Sequence, residues 1–211
     1  MVPESHKWIA KEIYKHFEEE YSLQLDKNKL LWGSIAPDIM PKYKLIRHYK
    51  SESILYVASQ ITKVILTLSL LDEEGIANPI KMAKLSKRIG VISHYLTDYT
   101  THPHARRITC TTRKGLKDHF AYEAKLNESI KNHSVDFSIK QNWDFSAFEG
   151  DWIDLRNYIM DKIHNVVEEY MALPITVETD INYAVNLNLF IVDLIFEAVY
   201  ALEKDTQLQM I

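Results

Sequence analysis

Three histidines and an aspartate fall within one short stretch of this 211-residue chain, His94-Tyr95-Leu96-Thr97-Asp98-Tyr99-Thr100-Thr101-His102-Pro103-His104. The stretch follows a strong helical pattern. His94 and Asp98 are four positions apart, so on a helix both side chains leave one face, with about 5–6 Å between Cβ atoms. His119 and Glu123 repeat the spacing with a glutamate. Imidazole nitrogens and carboxylate oxygens placed in this way suit a divalent transition metal, zinc first. One such pair carries little weight, because charged residues four apart are common on solvated helix faces. Context strengthens these two. Tyr95 and Leu96 follow His94, and Phe120, Ala121 and Tyr122 follow His119, so both pairs lie in apolar surroundings. A carboxylate buried there is costly unless a cation satisfies it. Of the nine histidines, His16, His133 and His164 read as ordinary surface or core residues. The chemistry expected of the pairs is hydrolysis at a multi-metal centre.

Positioning them calls for an all-α fold, a single-domain bundle of about seven helices around a metal cleft, spanning residues 1–211. Ser5 is the expected N-cap of a first helix running to about Glu20, with Trp8, Ile9, Ile13, Phe17 and Tyr21 as its apolar stripe and His6 in its first turn. Asp26 is expected to cap a second helix from Lys27 to about Ile35. Pro37 should end it, since the residue before proline disfavours the α region. Asp38 is therefore expected in a post-helical turn. Pro41 to Tyr49 reads as a loop holding Lys42, Lys44, Arg47 and His48. A third helix is expected from Ser51 or Ser53 to about Leu71. Asn78-Pro79, an N-cap followed by proline at the first helical position, opens a fourth that ends near Tyr99 and carries His94 and Asp98. His104 falls in a stretch from Thr100 to Arg113 that reads as a loop, or as a short turn plus loop. His119 and Glu123 fall in a fifth helix, Lys114 to Asn132. A long connection from His133 to Ser146 leads to a sixth helix, Asp151 to about Leu173. The seventh, Thr179 to about Lys204, is apolar on several faces and should be largely buried.

Composition narrows the function classes. A net charge of −4 gives no support for a nucleic-acid binder that relies on a basic surface. One cysteine, Cys110, excludes an intramolecular disulfide and reads as an inert small residue. Residues 1–7 lack the apolar core of a signal peptide, so a cytoplasmic location is expected. The apolar runs 61–71 and 185–202 are interrupted by Lys63 and by Asp193 and Glu197, and both read as core helices with no transmembrane segment.

Four islands together carry a family resemblance. They are Ser5-His6-Lys7-Trp8-Ile9, then Trp32-Gly33-Ser34-Ile35-Ala36-Pro37-Asp38 with His48 downstream, then His94 to Asp98 through Pro103-His104-Ala105, then His119 to Glu123. In this order they resemble the zinc-dependent phospholipase C family of bacteria, and more distantly the zinc nucleases that cut single strands. The resemblance implies two or three Zn2+ ions in a helical cleft. Asp38, His48, His94 and Asp98 would hold one; His104, His119 and Glu123 a second; His6 a third, with Asp98 bridging to the first. His102 stands where the family usually has a non-ligand. The implied reaction is attack of metal-activated water on a phosphodiester, with Asp38 steering or deprotonating that water and phospholipid as the substrate class.

The chain departs from the pattern at two places. Secreted relatives close the third site with an N-terminal tryptophan, whereas this chain has Met1, and His6 follows too soon for the same fold-back to be expected. Ile39 follows Asp38 where an aromatic would contact choline, and an isoleucine offers no cation–π face. A nuclease or nucleotidase, and a non-catalytic metal-binding homologue, stay open as alternatives. His119-xxx-Glu123 favours the lipase side, because the nucleases usually carry aspartate at the second position.

Overall fold

Helix α6, Pro79–Tyr99, is the axis of the molecule. In the computed structural model, which describes residues 1–107, 112–136 and 151–208, every residue from Ile89 to Tyr99 is buried. A helix buried on all faces must be enclosed by others. Here α1 (Pro3–Tyr21), α2 (Lys27–Gly33), α4 (Lys50–Ser69) and α10 (Val177–Leu208) pack around it. The remaining helices are α3 (Ala36–Ile39), α5 (Glu73–Ala77), α7 (His102–Ala105), α8 (Arg113–Ser129) and α9 (Trp152–Ala172). The described residues form one all-α domain without strands. The seven expected helices are present, and α3, α5 and α7 are short additions.

Local chemistry explains the starts that matched. Asn78 Oδ1 accepts from the Ile80 and Lys81 amides, with Pro79 opening α6. Asp26 accepts from Lys29 N–H at the head of α2. Asp151 and Asp154 make a reciprocal capping box on α9. Three starts differ from expectation. Helix α1 begins at Pro3, because proline arrives with its φ preset and loses no amide bond in a first turn. Ser5 is left inside the helix, and its hydroxyl donates to Asn127. Helix α4 begins at Lys50, ahead of both candidate serines, and Ser53 instead meets the Tyr99 hydroxyl at 2.8 Å. Pro37 opens α3, so Asp38 sits on a one-turn helix and not in a post-helical turn. After Tyr99 the second of the two expected forms is found, a short helical turn, α7, carrying His104. Cys110 and most of the connection expected from His133 to Ser146 lie outside the described residues.

The close approach of α2 to α6 rests on two glycines. A Cβ on Gly33 would stand 2.3 Å from the Lys87 carbonyl oxygen, and one on Gly90 would stand 2.2 Å from the Leu30 carbonyl oxygen. The backbones touch, which brings the Ser34 carbonyl within 2.8 Å of His94 Nδ1. Helix α10 is long and apolar enough over Val177–Leu202 to cross a membrane by length and composition, yet most of that span is buried inside the bundle. Two of its acids are held by partners: Asp193 by His16 and Tyr21, and Asp180 by Tyr122, Tyr170 and the His102 amide.

Candidate metal centre

Helix α6 supplies the centre. The buried His94 Nδ1 faces the Ser34 carbonyl, which can only accept; the proton therefore sits on Nδ1, and Nε2 presents its lone pair. That nitrogen lies 3.2 Å from His48 Nδ1, 3.5 Å from Asp38 Oδ1 and 3.4 Å from Asp98 Oδ2. One turn on, Asp98 is fully buried. Its two oxygens face different groups. Oδ2 is 2.8 Å from His48 Nδ1, whereas Oδ1 is 3.5 Å from His6 Nε2 and 3.7 Å from His104 Nε2. Helix α7 delivers His104 and α8 delivers His119 and Glu123. Glu123 Oε1 stands 3.1 Å from His119 Nε2 and 3.8 Å from His104 Nε2.

Three sets of potential ligands result: His6 with His94 and Asp98, Asp38 with His48 and His94, and His104 with His119 and Glu123. All eight residues singled out in the sequence lie in one or another of them. His102 lies in none; its backbone N–H goes to Asp180 instead. A cavity of about 460 Å3 opens onto the centre, with Asp38, His48 and His104 on its wall beside Lys44, Arg47 and Tyr49.

The sequence reading missed the Met1 amine. Val2 is extended and Pro3 starts the helix, so Met1 turns back over the head of α1. Its nitrogen lies 3.2 Å from Asp98 Oδ1, 3.2 Å from Glu123 Oε1 and 3.3 Å from His104 Nε2. The expectation that no such fold-back forms is therefore corrected. Fold-back needs only an extended residue ahead of a helix, and the prolyl start leaves room for that.

Electrostatics fit a cation-binding cluster. Burial would raise the Asp98 carboxyl, but His104, the Met1 ammonium, His94 and His6 overcome it and hold it well below the usual range. Burial acts likewise on Glu123, where a hydrogen bond with His104 and the charges of the Met1 amine and His119 bring it down to about 2. Both are carboxylates at neutral pH. Burial pushes His6 well below the ordinary imidazole value, and His94 below it also, so both keep neutral rings with lone pairs to give.

Zinc fits these residues on three observations. The donors are imidazole nitrogen and carboxylate oxygen, which zinc prefers. His6 Nδ1 and Nε2 and His119 Nδ1 are buried without a hydrogen-bond partner, and leaving such groups unsatisfied costs about 1–3 kcal/mol each. The Met1 ammonium already shows that two carboxylates and an imidazole converge on a positive charge.

Comparison with known families decides the identity. The family model described as zinc-dependent phospholipase C matches residues 5–172. The chain belongs to the zinc-dependent phospholipase C family. No curated protein and no solved structure matched it. In this zinc-dependent phospholipase C domain the matched span contains every residue named above as a potential ligand. It stops before α10, which lends the domain packing surface and one further polar anchor.

That anchor is Asp180, buried at the head of α10. Its carboxylate accepts from Tyr170 Oη at 2.6 Å, Tyr122 Oη at 2.8 Å and the His102 amide at 2.8 Å. Tyr122 precedes Glu123, and His102 lies two residues before His104. One carboxylate thus ties down both elements that carry the second ligand set. Nothing local in an apolar helix marks an acid for this role; two of its three partners lie 58 and 78 residues away. Asp180→Ala would strand three donors, the buried Tyr170 hydroxyl and the partly buried Tyr122 hydroxyl and His102 amide. The expected result is a loss of roughly 3 kcal/mol or more in stability and weaker zinc retention, read by thermal melting and by metal analysis after dialysis. A variant that melts and holds zinc like the parent would remove Asp180 from this role.

Proposed function

We propose that this phospholipase C-type domain is an active metal-dependent phosphodiesterase that cleaves a phospholipid between diacylglycerol and phosphate. The observation that carries the reading is Asp98, with one oxygen facing His48 and His94 and the other facing His6 and His104. A purely structural zinc needs one closed set of four ligands. A carboxylate whose two oxygens face different histidines, beside an open cleft, suits ions that act together on one phosphate.

In this reading Asp38, His48, His94 and Asp98 would hold one ion; His104, His119 and Glu123 would hold a second; His6 would join Asp98, beside the Met1 amine, at a third. When bound, the cations lower the pKa of water and offset the negative charge that develops on the phosphate oxygens. The remaining work falls to the chain. Asp38, its side chain 36% exposed, reaches the cleft and accepts a hydrogen bond from the attacking water, orienting it towards phosphorus. Lys44 and Arg47, on the same wall, attract the anionic phosphodiester. Ser34 holds His94 by its carbonyl and so fixes which ring nitrogen faces the centre.

The test combines composition with turnover. Purified protein should carry two or three zinc ions and release diacylglycerol from phospholipid in preference to cutting single-stranded DNA. His119→Ala should lower zinc content and reduce hydrolysis by more than about a hundredfold, the upper range for disturbing even a supporting group around a metal. Zinc-loaded protein that turns over no phosphodiester, with His119→Ala changing only the melting temperature, would leave a structural metal site in place of an enzyme.

A further inference from the structure

The cleft has a second feature that the metal centre does not use. Its rim is the segment from Ile39 to Arg47, which includes the 3-10 turn Pro41–Tyr43. Leu45 at its tip is 93% exposed, the most exposed large apolar side chain among the described residues, and Ile39 is 51% exposed. Every charged residue in the segment is a cation: Lys42, Lys44 and Arg47. Behind it lies another cavity, of about 450 Å3, which shares Ile46 with the cleft. Lys42, Lys84, Lys87 and Arg88 line this cavity, and no aspartate or glutamate does. The segment that carries the exposed leucine and the lining of this cavity together hold six cations, in a chain whose net charge is −4. Lys42 lies over the Tyr43 ring at 4.7 Å.

We infer that the segment Ile39–Arg47 and the basic cavity behind it form a docking surface for an anionic lipid bilayer, which presses the mouth of the cleft against the membrane. Two physical contributions support this occupant. Basic residues near an anionic leaflet contribute about 1 kcal/mol each, so each one lost should weaken binding about fivefold. An aliphatic tip adds insertion into the acyl boundary, where charge alone gives nothing. The leucine is what separates a bilayer from nucleic acid, since phosphates reward the cations but offer no site for Leu45. The inference deepens the phospholipase reading and rests on it for its purpose.

Its experiment measures binding apart from turnover. Full-length protein is sedimented with vesicles of phosphatidylcholine alone, or with phosphatidylglycerol added as one third of the lipid. Hydrolysis of a water-soluble phosphodiester is measured alongside. The expected partition is at least about tenfold stronger onto the anionic vesicles, and 0.5 M NaCl should reverse most of it. Leu45→Ser should reduce partition about tenfold, and the pair Lys84→Glu with Arg88→Glu by more than about twentyfold. Both variants should melt like the parent and hydrolyse the soluble ester at the parent rate. Equal partition onto both vesicle types would overturn the inference. So would a Leu45→Ser variant that binds vesicles normally, or binding of single-stranded DNA that survives Leu45→Ser while vesicle binding is absent. Failure to hydrolyse the soluble ester, with vesicle binding intact, would instead count against the enzymatic reading alone.

Discussion

Asp98→Asn is expected to abolish hydrolysis, deplete zinc and lower the melting temperature in one step. An asparagine presents one carbonyl oxygen and one amino group in place of two anionic oxygens. Whichever way it turns, either His48 and His94 or His6 and His104 lose the anionic oxygen they face and meet a donor instead. Removing one partner from a fully buried ion pair costs roughly 3–5 kcal/mol, and here the stranded partner is the Met1 ammonium, 3.2 Å from Asp98 Oδ1. Turnover should fall by at least about a hundredfold, since disturbing groups that merely support a metal ligand already costs 10–100-fold. Metal analysis, thermal melting and phosphodiester turnover are measured on one preparation. Retention of two or more zinc ions with parental activity would show that Asp98 is not a ligand. Loss of activity with full zinc would separate catalysis from binding, and Asp98 would then act on the water or the substrate.

The second large effect lies away from the metals. Gly90→Ala places a methyl group where 2.2 Å separates it from the Leu30 carbonyl oxygen, 2.8 Å from Ser34 N and 2.9 Å from Gly33 Cα. All three are backbone atoms, so no side chain can swing aside. Helix α2 must move by more than an ångström, at a cost of about 3 kcal/mol or more for overpacking. The shift draws the Ser34 carbonyl away from His94 Nδ1, now 2.8 Å distant, and frees the ring to tilt. Melting temperature and activity should therefore both drop, although no residue at the centre has changed. Gly75→Ala is the control. There the nearest atom is Leu71 Cδ2 at 2.6 Å, the far end of a flexible side chain, and alanine improves helix propensity by up to about 1 kcal/mol. That variant should melt within a few degrees of the parent. If Gly90→Ala melts like Gly75→Ala, the backbone contact is not what seats α2.

Legibility in the sequence followed the range of the interactions. Asn78-Pro79 marked the start of α6 because a cap and a prolyl first turn are complete within four residues. His94 with Asp98, and His119 with Glu123, were visible because helical spacing is itself the geometry. The fold class was legible for the same reason: amphipathic stripes such as Ile9, Ile13 and Phe17 are local, and all three are buried. What escaped depends on distance or on a choice between local rules. Pro37 satisfied two rules, the end of one helix and the start of another, and the structure follows both: α2 ends at Gly33, and α3 begins at Ala36 with the proline in its first turn. Met1 reaches Asp98 across 97 positions, and Asp180 reaches His102 across 78. Neither pairing has a period or a motif. Glycine lowers helix propensity, so nothing local recommends Gly33 or Gly90; their value appears only when the two helices cross.

That crossing has a consequence for how the centre tolerates change. His94 is oriented by a main-chain oxygen, and that oxygen is placed by main chain resting on main chain at Gly33 and Gly90. No rotamer intervenes anywhere along this route. Neighbouring aliphatic residues such as Leu30 and Ile89 can therefore drift to others of similar bulk while the imidazole keeps its bearing. A lineage could repaint most of the interior without retuning its metals, so long as two hydrogen atoms stay where any larger group would not fit.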